Sequence, residues 1–92
     1  MKIKTSKGDF TLIKNYRDCF DKEAFEERYI EEIHNKYRYF VGDYSSDILR
    51  IKGFFENKNP NYHNIPDYLN ESCQLNCAYY ILKRGIEESS NE

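Results

Sequence analysis

Hydrophobic and polar residues alternate in some stretches of this chain and recur at helical spacing in others. The clearest alternation lies in residues 38–55, where two aromatic-rich segments flank the short polar link 45–47. This pattern is typical of a β-hairpin. Because successive side chains of a strand point to opposite faces of the sheet, the residues of the second arm divide into two sets. The predicted core face carries Leu49, Ile51, Gly53 and Phe55, and the opposite face carries Ile48, Arg50, Lys52 and Phe54.

Alternation also marks the beginning and the end of the chain. Residues 2–5 and 9–14 predict a first hairpin, with Gly8 supplying the positive φ of a tight turn. Residues 78–82 predict a last strand. We expect residues 1–84 to form a single α+β domain and residues 85–92 to form a flexible acidic tail.

Helical spacing begins after Asp21, which is placed to cap a first turn while Phe20 packs on Phe25. Apolar residues then recur at intervals of four up to Tyr37, so a continuous helix is predicted over about 22–36. A shorter helix is predicted over about 64–74. Pro66 is compatible with its first turn.

The predicted element order is β-β-α-β-β-α-β. This order indicates an α+β fold, a two-layer sandwich with a mainly antiparallel sheet and two helices on one face. Without the opening strand, the order is also that of a ferredoxin-like fold, so this winding is one of the arrangements we consider.

Composition and charge narrow the functional class. The 92 residues carry a net charge of −2, which does not suit a dedicated DNA-binding protein with its strongly basic footprint. No secretory signal and no apolar run of about 20 residues is present, so neither secretion nor a membrane span is expected. The three cysteines are expected to be reduced thiols, and the predicted location is cytoplasmic.

The first predicted helix carries a row of like charges, Glu23, Glu27 and Glu31, at intervals of four. Like charges at this spacing repel one another. Such a row is either a solvated helix face or an acidic patch that meets a basic partner. The second interpretation predicts a protein partner.

The predicted hairpin offers a second candidate surface. Cations interleaved with aromatic rings on an exposed sheet face are typical of single-stranded RNA recognition. The same residues equally suit a face that merely keeps the sheet soluble and pairs rings across strands. The candidate binding residues are Tyr39, Tyr44, Arg50, Lys52 and Phe54.

Candidate catalytic and metal-binding residues are few. Asp43 and His63 are the one pair that could act together, if the fold brings them into one pocket. Cys73 and Cys77 form a CxxxC pair without a second ligand pair, so we expect small packed side chains rather than a metal site. The sequence thus favours a binding or adaptor domain for a cytosolic protein, with RNA binding as the alternative. No cofactor or metal is expected.

Several segments of the chain resemble the YutD-like family of small cytosolic bacterial proteins. The resemblance extends from about Phe10 to Arg84. It is carried by VGD at 41–43, LRIKGFF at 49–55, DYL at 67–69 and C-x3-CAYY at 73–80. Tyr44-Ser45 replaces the family's usual Trp-Gly, and Asn76 replaces a usual Gly. The resemblance implies a small α+β domain, and it carries over no activity and no functional residue.

Overall fold

The computed structural model describes residues 1–45, 47–72 and 77–85. The described helices and strands follow in chain order: β1 (Lys2–Thr5), β2 (Gly8–Tyr16), α1 (Lys22–Arg28), α2 (Glu31–His34), β3 (Tyr39–Ser45), β4 (Ile48–Phe54), a 3-10 helix (Tyr62–Asn64), α3 (Ile65–Ser72) and β5 (Tyr79–Arg84). In this part of the chain, no helix is long and apolar enough to cross a membrane. The predicted helix end near 74 and the tail from 86 onward lie outside the described residues.

The five strands form one sheet in the order β1-β2-β5-β3-β4, with antiparallel pairing throughout. The predicted α+β class and antiparallel sheet are confirmed. The sheet is not ferredoxin-like, because its last strand lies between β2 and β3, whereas a ferredoxin-like sheet has its last strand at an edge. Strand β5 suits this interior position since it offers apolar side chains to both faces of the sheet.

Successive residues of β3 contribute to two separate cores. Phe40 packs with Phe10, Phe25 and Leu82 in the first core. Its neighbours Tyr39 and Val41 pack in the second core. Because successive side chains point to opposite faces of a sheet, the two cores lie on opposite sides. We call the side of Phe40 face A and the side of Tyr39 and Val41 face B.

The helices therefore cover both faces, and the prediction of two helices on one face is wrong. Helix α1 covers face A, where Phe25 lies in the core with Phe10 and Phe40. Helix α3 covers part of face B through Ile65, with Tyr68 and Leu69 packed against the same core. The alternation within β3 places large apolar side chains on both faces, so each face needs its own cover.

The predicted long helix is interrupted. Tyr29 ends α1 with ψ 119°, and the extended Ile30 (φ −109°, ψ 111°) precedes α2. The interruption directs His34 into the core and leaves Ile33 about half exposed. The amide of Ile30 remains satisfied because it donates to Nδ1 of His34 at 2.9 Å. The buried position that the apolar repeat assigned to Ile33 is thus taken by His34, whose ring is hydrogen-bonded.

Other local predictions are confirmed. Oδ1 of Asp21 accepts hydrogen bonds from the amides of Glu23 and Ala24, and the rings of Phe20 and Phe25 are 6.2 Å apart. Gly8 has a φ of +122°. Gly42 lies under the Tyr80 ring, where an added Cβ would approach the ring to 2.2 Å. Only a glycine permits this contact between β3 and a buried tyrosine of β5.

Candidate functional site

The five residues predicted to form a binding surface on the hairpin do not share one exposed surface. Tyr39 and Phe54 are buried in the face B core. The Tyr39 ring stacks on Tyr62 at 4.5 Å, and the Phe54 ring meets Tyr68 edge-on at 5.7 Å. The 3-10 helix and α3 therefore cover the two rings that were expected to be open to bases.

Arg50 lies beside a buried carboxylate. Its Nε and Nη2 atoms donate to Oδ1 of Asp43 at 3.0 and 2.8 Å. The hydroxyl of Tyr68 donates to Oδ2 of the same carboxylate at 2.7 Å. These hydrogen bonds compensate for the complete burial of Asp43, and they raise the pKa of Arg50. The cluster ties α3 to the hairpin. Lys52 is exposed on the same strand.

Tyr44 lies on face A, away from Arg50. It belongs with Phe40 and Gly42 in the alternation of β3, and it packs against the face A core. Burial raises the pKa of its hydroxyl. Tyr44 also lines a cavity of about 250 Å³ between α1 and the turn of the hairpin. The lining residues are Ala24, Glu27, Arg28, Tyr44, Asp47, Ile48 and Leu49.

One residue of the predicted acidic row, Glu27, lines this cavity. Glu23 and Glu27 are exposed on α1, and Glu31 is exposed at the start of α2. Because the helix is interrupted between them, the three glutamates do not lie on one continuous helix face. Ile30 and Ile33 are 46% and 48% exposed beside them. We call these three glutamates and two isoleucines the acidic surface.

Five of the seven cavity residues were not selected as candidates from the sequence, and two of them, Asp47 and Ile48, belong to the end of the hairpin. Asp47 has a φ of +65° in the hairpin turn, and Ile48 is 53% exposed. Strand alternation from Phe40 could have assigned Tyr44 to the face that α1 covers. No sequence signal indicated that this turn would approach α1, since strand order and helix packing decide the distance between them.

The structure does not bring Asp43 and His63 together. The described polar partners of Asp43 are Arg50 and Tyr68, whereas the ring of His63 lies 4.1 Å from that of Tyr62. A shared acid–base site built from these two residues is therefore not supported.

The cysteines differ from one another. Cys19 carries a free thiol, and burial raises its pKa. Cys77 is disulfide-bonded, so the expectation of a reduced thiol is wrong at that position. Cys73 lies outside the described residues. Within the described ranges, no group of three or more His, Cys, Asp or Glu side chains is arranged to hold a metal ion.

Comparison with known proteins extends these observations. The family model described as "Putative antitoxin YutD-like" matches residues 4–83. "Putative antitoxin YutD" from Bacillus subtilis (strain 168) is 41% identical over 83 residues, which cover 84% of this chain and 90% of that protein. The solution NMR structure of protein yutD from B. subtilis is 36% identical, with a TM-score of 0.77 over 100% of this chain and 90% of that one. The resemblance predicted from the sequence is confirmed, and the chain belongs to the YutD-like family.

Proposed function

We propose that this protein is an antitoxin that binds a partner protein and holds it inactive. The family description and the name of the Bacillus relative support the antitoxin role. The chain contributes the acidic surface and the cavity beside it, which together suit a partner with exposed lysine or arginine side chains. This is a binding function without a chemical step.

The cavity between α1 and the hairpin turn is the observation that carries the proposal. A lysine or arginine of the partner has an apolar stem and a charged head. Ile48 and Leu49 offer apolar contacts to the stem, and the carboxylates of Glu27 and Asp47 complement the head. Arg28 lines the same cavity, which leaves two carboxylates against one cation.

The acidic surface shares Glu27 with this cavity and adds contacts of a second kind. Ile30 and Ile33 are one turn apart, since the amide of Ile33 donates to the carbonyl of Ile30 at 3.0 Å. Both are about half exposed. In the chain, Ile30 lies between Glu27 and Glu31, and Ile33 follows Glu31. Apolar side chains bordered by charges are the usual composition of a protein interface core and rim.

Helix α1 is fixed in place before a partner arrives. Phe25 is fully buried, and Asp21 caps the first turn. The carboxylate of Glu26 accepts a hydrogen bond from the amide of Ser6 at 2.7 Å, and this bond lowers the pKa of Glu26. A rigid helix avoids part of the entropy cost of association.

The RNA-binding alternative receives no support from the hairpin. Base stacking needs exposed rings, but Tyr39 and Phe54 are buried. The guanidinium of Arg50 is paired with Asp43. We therefore retain the protein partner as the proposed target.

The test begins with the tagged protein as bait in its native cell extract, followed by identification and purification of the retained partner. Glu27→Lys should weaken binding of that partner at least about tenfold, because it places a second cation in the cavity next to Arg28. Glu71→Lys, on exposed α3, makes the same change in net charge and should leave the affinity unchanged.

The antitoxin role requires a second measurement. The purified partner is produced alone in a heterologous bacterial host, and then together with the wild-type protein or either variant. We expect arrested growth with the partner alone, recovery with wild type and Glu71→Lys, and poor recovery with Glu27→Lys. A partner that is harmless when produced alone, or equal rescue by all three proteins, would contradict the proposal.

A further inference from the structure

The described part of the chain covers face B only in part, and within these residues the open part lies over β1, β2 and β5. The register of β2 on β5 shifts between Leu12 and Lys14, so Ile13 is the extra residue of a β-bulge. Bulges redirect side chains at strand edges and functional sites. Ile13 is 53% exposed, although Leu12, its neighbour in the chain, packs against the face A core.

Ile13 forms one wall of an apolar pocket of about 360 Å³ on face B. The opposite wall is the 3-10 helix and the first turn of α3. The Tyr39 and Tyr62 rings within the pocket stack on each other at 4.5 Å, with an interplanar angle of 13°. The lining residues are Ile13, Tyr39, Tyr62, Ile65, Pro66 and Ile81.

Lysines lie on the same face of the sheet as this apolar pocket. Lys14 pairs with Ile81 in the sheet register, and its Nζ lies 6.0 Å from the ring centroid of Tyr79. Nζ of Lys83 lies 5.7 Å from the centroid of the pocket residue Tyr39. On β1, the burial of Ile3 in the face A core directs its strand neighbours Lys2 and Lys4 to face B.

The opposing charge on this part of face B is small. Asp9 precedes the face A residue Phe10 in β2, so its side chain points to face B, where it pairs with Lys4 in the register. Within the described strands, the open part of face B therefore carries Lys2, Lys4, Lys14 and Lys83 with Asp9. Lys83 is engaged in a further interaction, and Asp67 follows the pocket residue Pro66 in the first turn of α3, so Lys2, Lys4 and Lys14 supply the charge on which the proposal depends. An apolar ligand bordered by carboxylates complements this surface.

We propose that this pocket binds an aliphatic side chain of a partner protein, presented by a segment with flanking Asp or Glu residues. The pocket volume accommodates one or two side chains. The lining favours a protein over a single-stranded nucleic acid, because Tyr39 already stacks on Tyr62 and Tyr16 on Tyr79. Nucleic-acid binding of this type needs open ring faces.

This site is separate from the acidic surface. It lies on the opposite face of the sheet and attracts the opposite charge, so the proposal does not rest on the antitoxin role. Ile13 and Ile48 make the two sites separable in experiment. Both are strand isoleucines with 53% exposure, and each lines one of the two cavities.

The test is a titration of the isotope-labelled full chain with the synthetic hexapeptide Glu-Glu-Leu-Leu-Glu-Glu, followed by amide NMR. We expect saturable shifts at Ile13, Ile81 and Tyr62. Ile13→Thr should weaken binding roughly five- to tenfold, because it removes apolar contact while keeping a β-branched side chain. Ile48→Thr, the matched control, should bind the peptide as wild type does.

Charge is tested separately. Lys14→Gln should weaken binding of the acidic peptide. It should leave unchanged the weaker binding of the uncharged peptide Gln-Gln-Leu-Leu-Gln-Gln. A dispersed amide spectrum verifies the fold of each variant. The proposal is overturned by the absence of shifts, by equal shifts with Lys-Lys-Leu-Leu-Lys-Lys, or by tighter binding of an oligothymidylate on the same residues. The proposal would also be overturned if Ile13→Thr and Ile48→Thr weakened peptide binding equally, since equal losses would indicate a nonspecific effect.

Discussion

The two faces of the sheet are closed by different chemistry. On face A, the α1–α2 segment covers a cluster of aromatic rings. The ring centroid of Phe40 lies within 6.4 Å of three others, those of Phe10, Phe25 and Tyr29. On face B, a short helix covers only β3, β4 and part of β5, and a buried carboxylate, that of Asp43, is part of the packing. Face A is a closed apolar core, whereas face B is partly open.

The same contrast holds for the cations of β5. The Arg84 guanidinium lies on face A, 5.4 and 5.2 Å from the rings of Phe10 and Phe40, and it donates to the backbone carbonyls of Tyr37 and His34. It thereby holds the end of α2 against the sheet. Its neighbour Lys83 lies on face B beside an open pocket. One strand thus supplies a cation to each face of the sheet.

This difference indicates how a chain of 92 residues combines stability with binding surfaces. A small domain buries a limited fraction of its surface, and here the most densely packed aromatic core lies under α1 and α2. The outer side of those helices and the open part of face B then remain for partners. Mutations can test this division of roles.

The largest expected effect is that of Phe40→Ala. Removing a fully buried ring that touches several others should lower the free energy of unfolding by about 3–5 kcal/mol. Phe54→Ala on face B should lower the free energy of unfolding by about 1 kcal/mol less than Phe40→Ala does, because the described ring contact of Phe54 is with Tyr68 alone. Urea unfolding followed by circular dichroism measures both. Equal losses would contradict the contrast between the two cores.

Arg50→Ala should have the next largest effect, about 2–3 kcal/mol, because it removes two hydrogen bonds from a fully buried carboxylate. The Arg50 side chain is 43% exposed, which keeps the expected loss of stability below that of a fully buried ion pair. Lys52→Ala is the matched control, an exposed cation on the same strand, and should change stability by less than about 0.5 kcal/mol. Similar losses for the two variants would argue against a stabilising role of the Asp43 cluster.

A smaller effect is expected from the buried histidine of face A. Burial lowers the pKa of His34, and protonation at Nδ1 would break the hydrogen bond from Ile30. Above the ordinary histidine pKa of about 6.5, both states are neutral and the stability is complete. As the pH falls below about 6.5, the unfolded chain takes up the proton first, so stability decreases.

This pH dependence is measured by urea unfolding between pH 7.5 and about 5. His34→Gln should remove the decrease, while His63→Gln, which keeps His34, should retain it. A slope that persists in His34→Gln would show that another group is responsible.

The sequence predicted the elements better than their packing. Asp21, Phe20 and Gly8 encode local geometry, and each behaves as expected, because caps, staples and tight turns depend on nearby residues only. The interruption at Tyr29–Ile30 was missed, since the four-residue stripe favours one helix. The compensating contacts involve Asn35 and Arg84, which accept from and donate to the Tyr29 hydroxyl, and these contacts are tertiary.

The candidate sites illustrate the same limit. Alternation correctly separated Leu49 from Arg50, but it could not indicate that α3 would cover Phe54 or that Arg50 would pair with Asp43. The acidic residues were selected from their helical spacing. All three are exposed, but the interruption at Tyr29–Ile30 separates Glu31 from the helix of Glu23 and Glu27. The pocket at Ile13 was not foreseen, because alternation places Ile13 on the face opposite Leu12 but cannot indicate that the 3-10 helix and α3 would approach it there. The bulge changes the facing only of the residues that follow Ile13.

The smallest expected effect concerns the two exposed isoleucines. Ile13→Thr and Ile48→Thr should each change the free energy of unfolding by less than about 0.5 kcal/mol, because half-exposed side chains contribute little to either core. Thermal and urea unfolding of both variants measures this difference. If Ile13→Thr destabilised the protein by more than about 1 kcal/mol, Ile13 would belong to the packing of face B, and its loss of peptide binding could be attributed to a disturbed fold. Near-neutral stability together with weakened peptide binding would instead assign Ile13 to recognition, and face B would be a binding face built around a bulge.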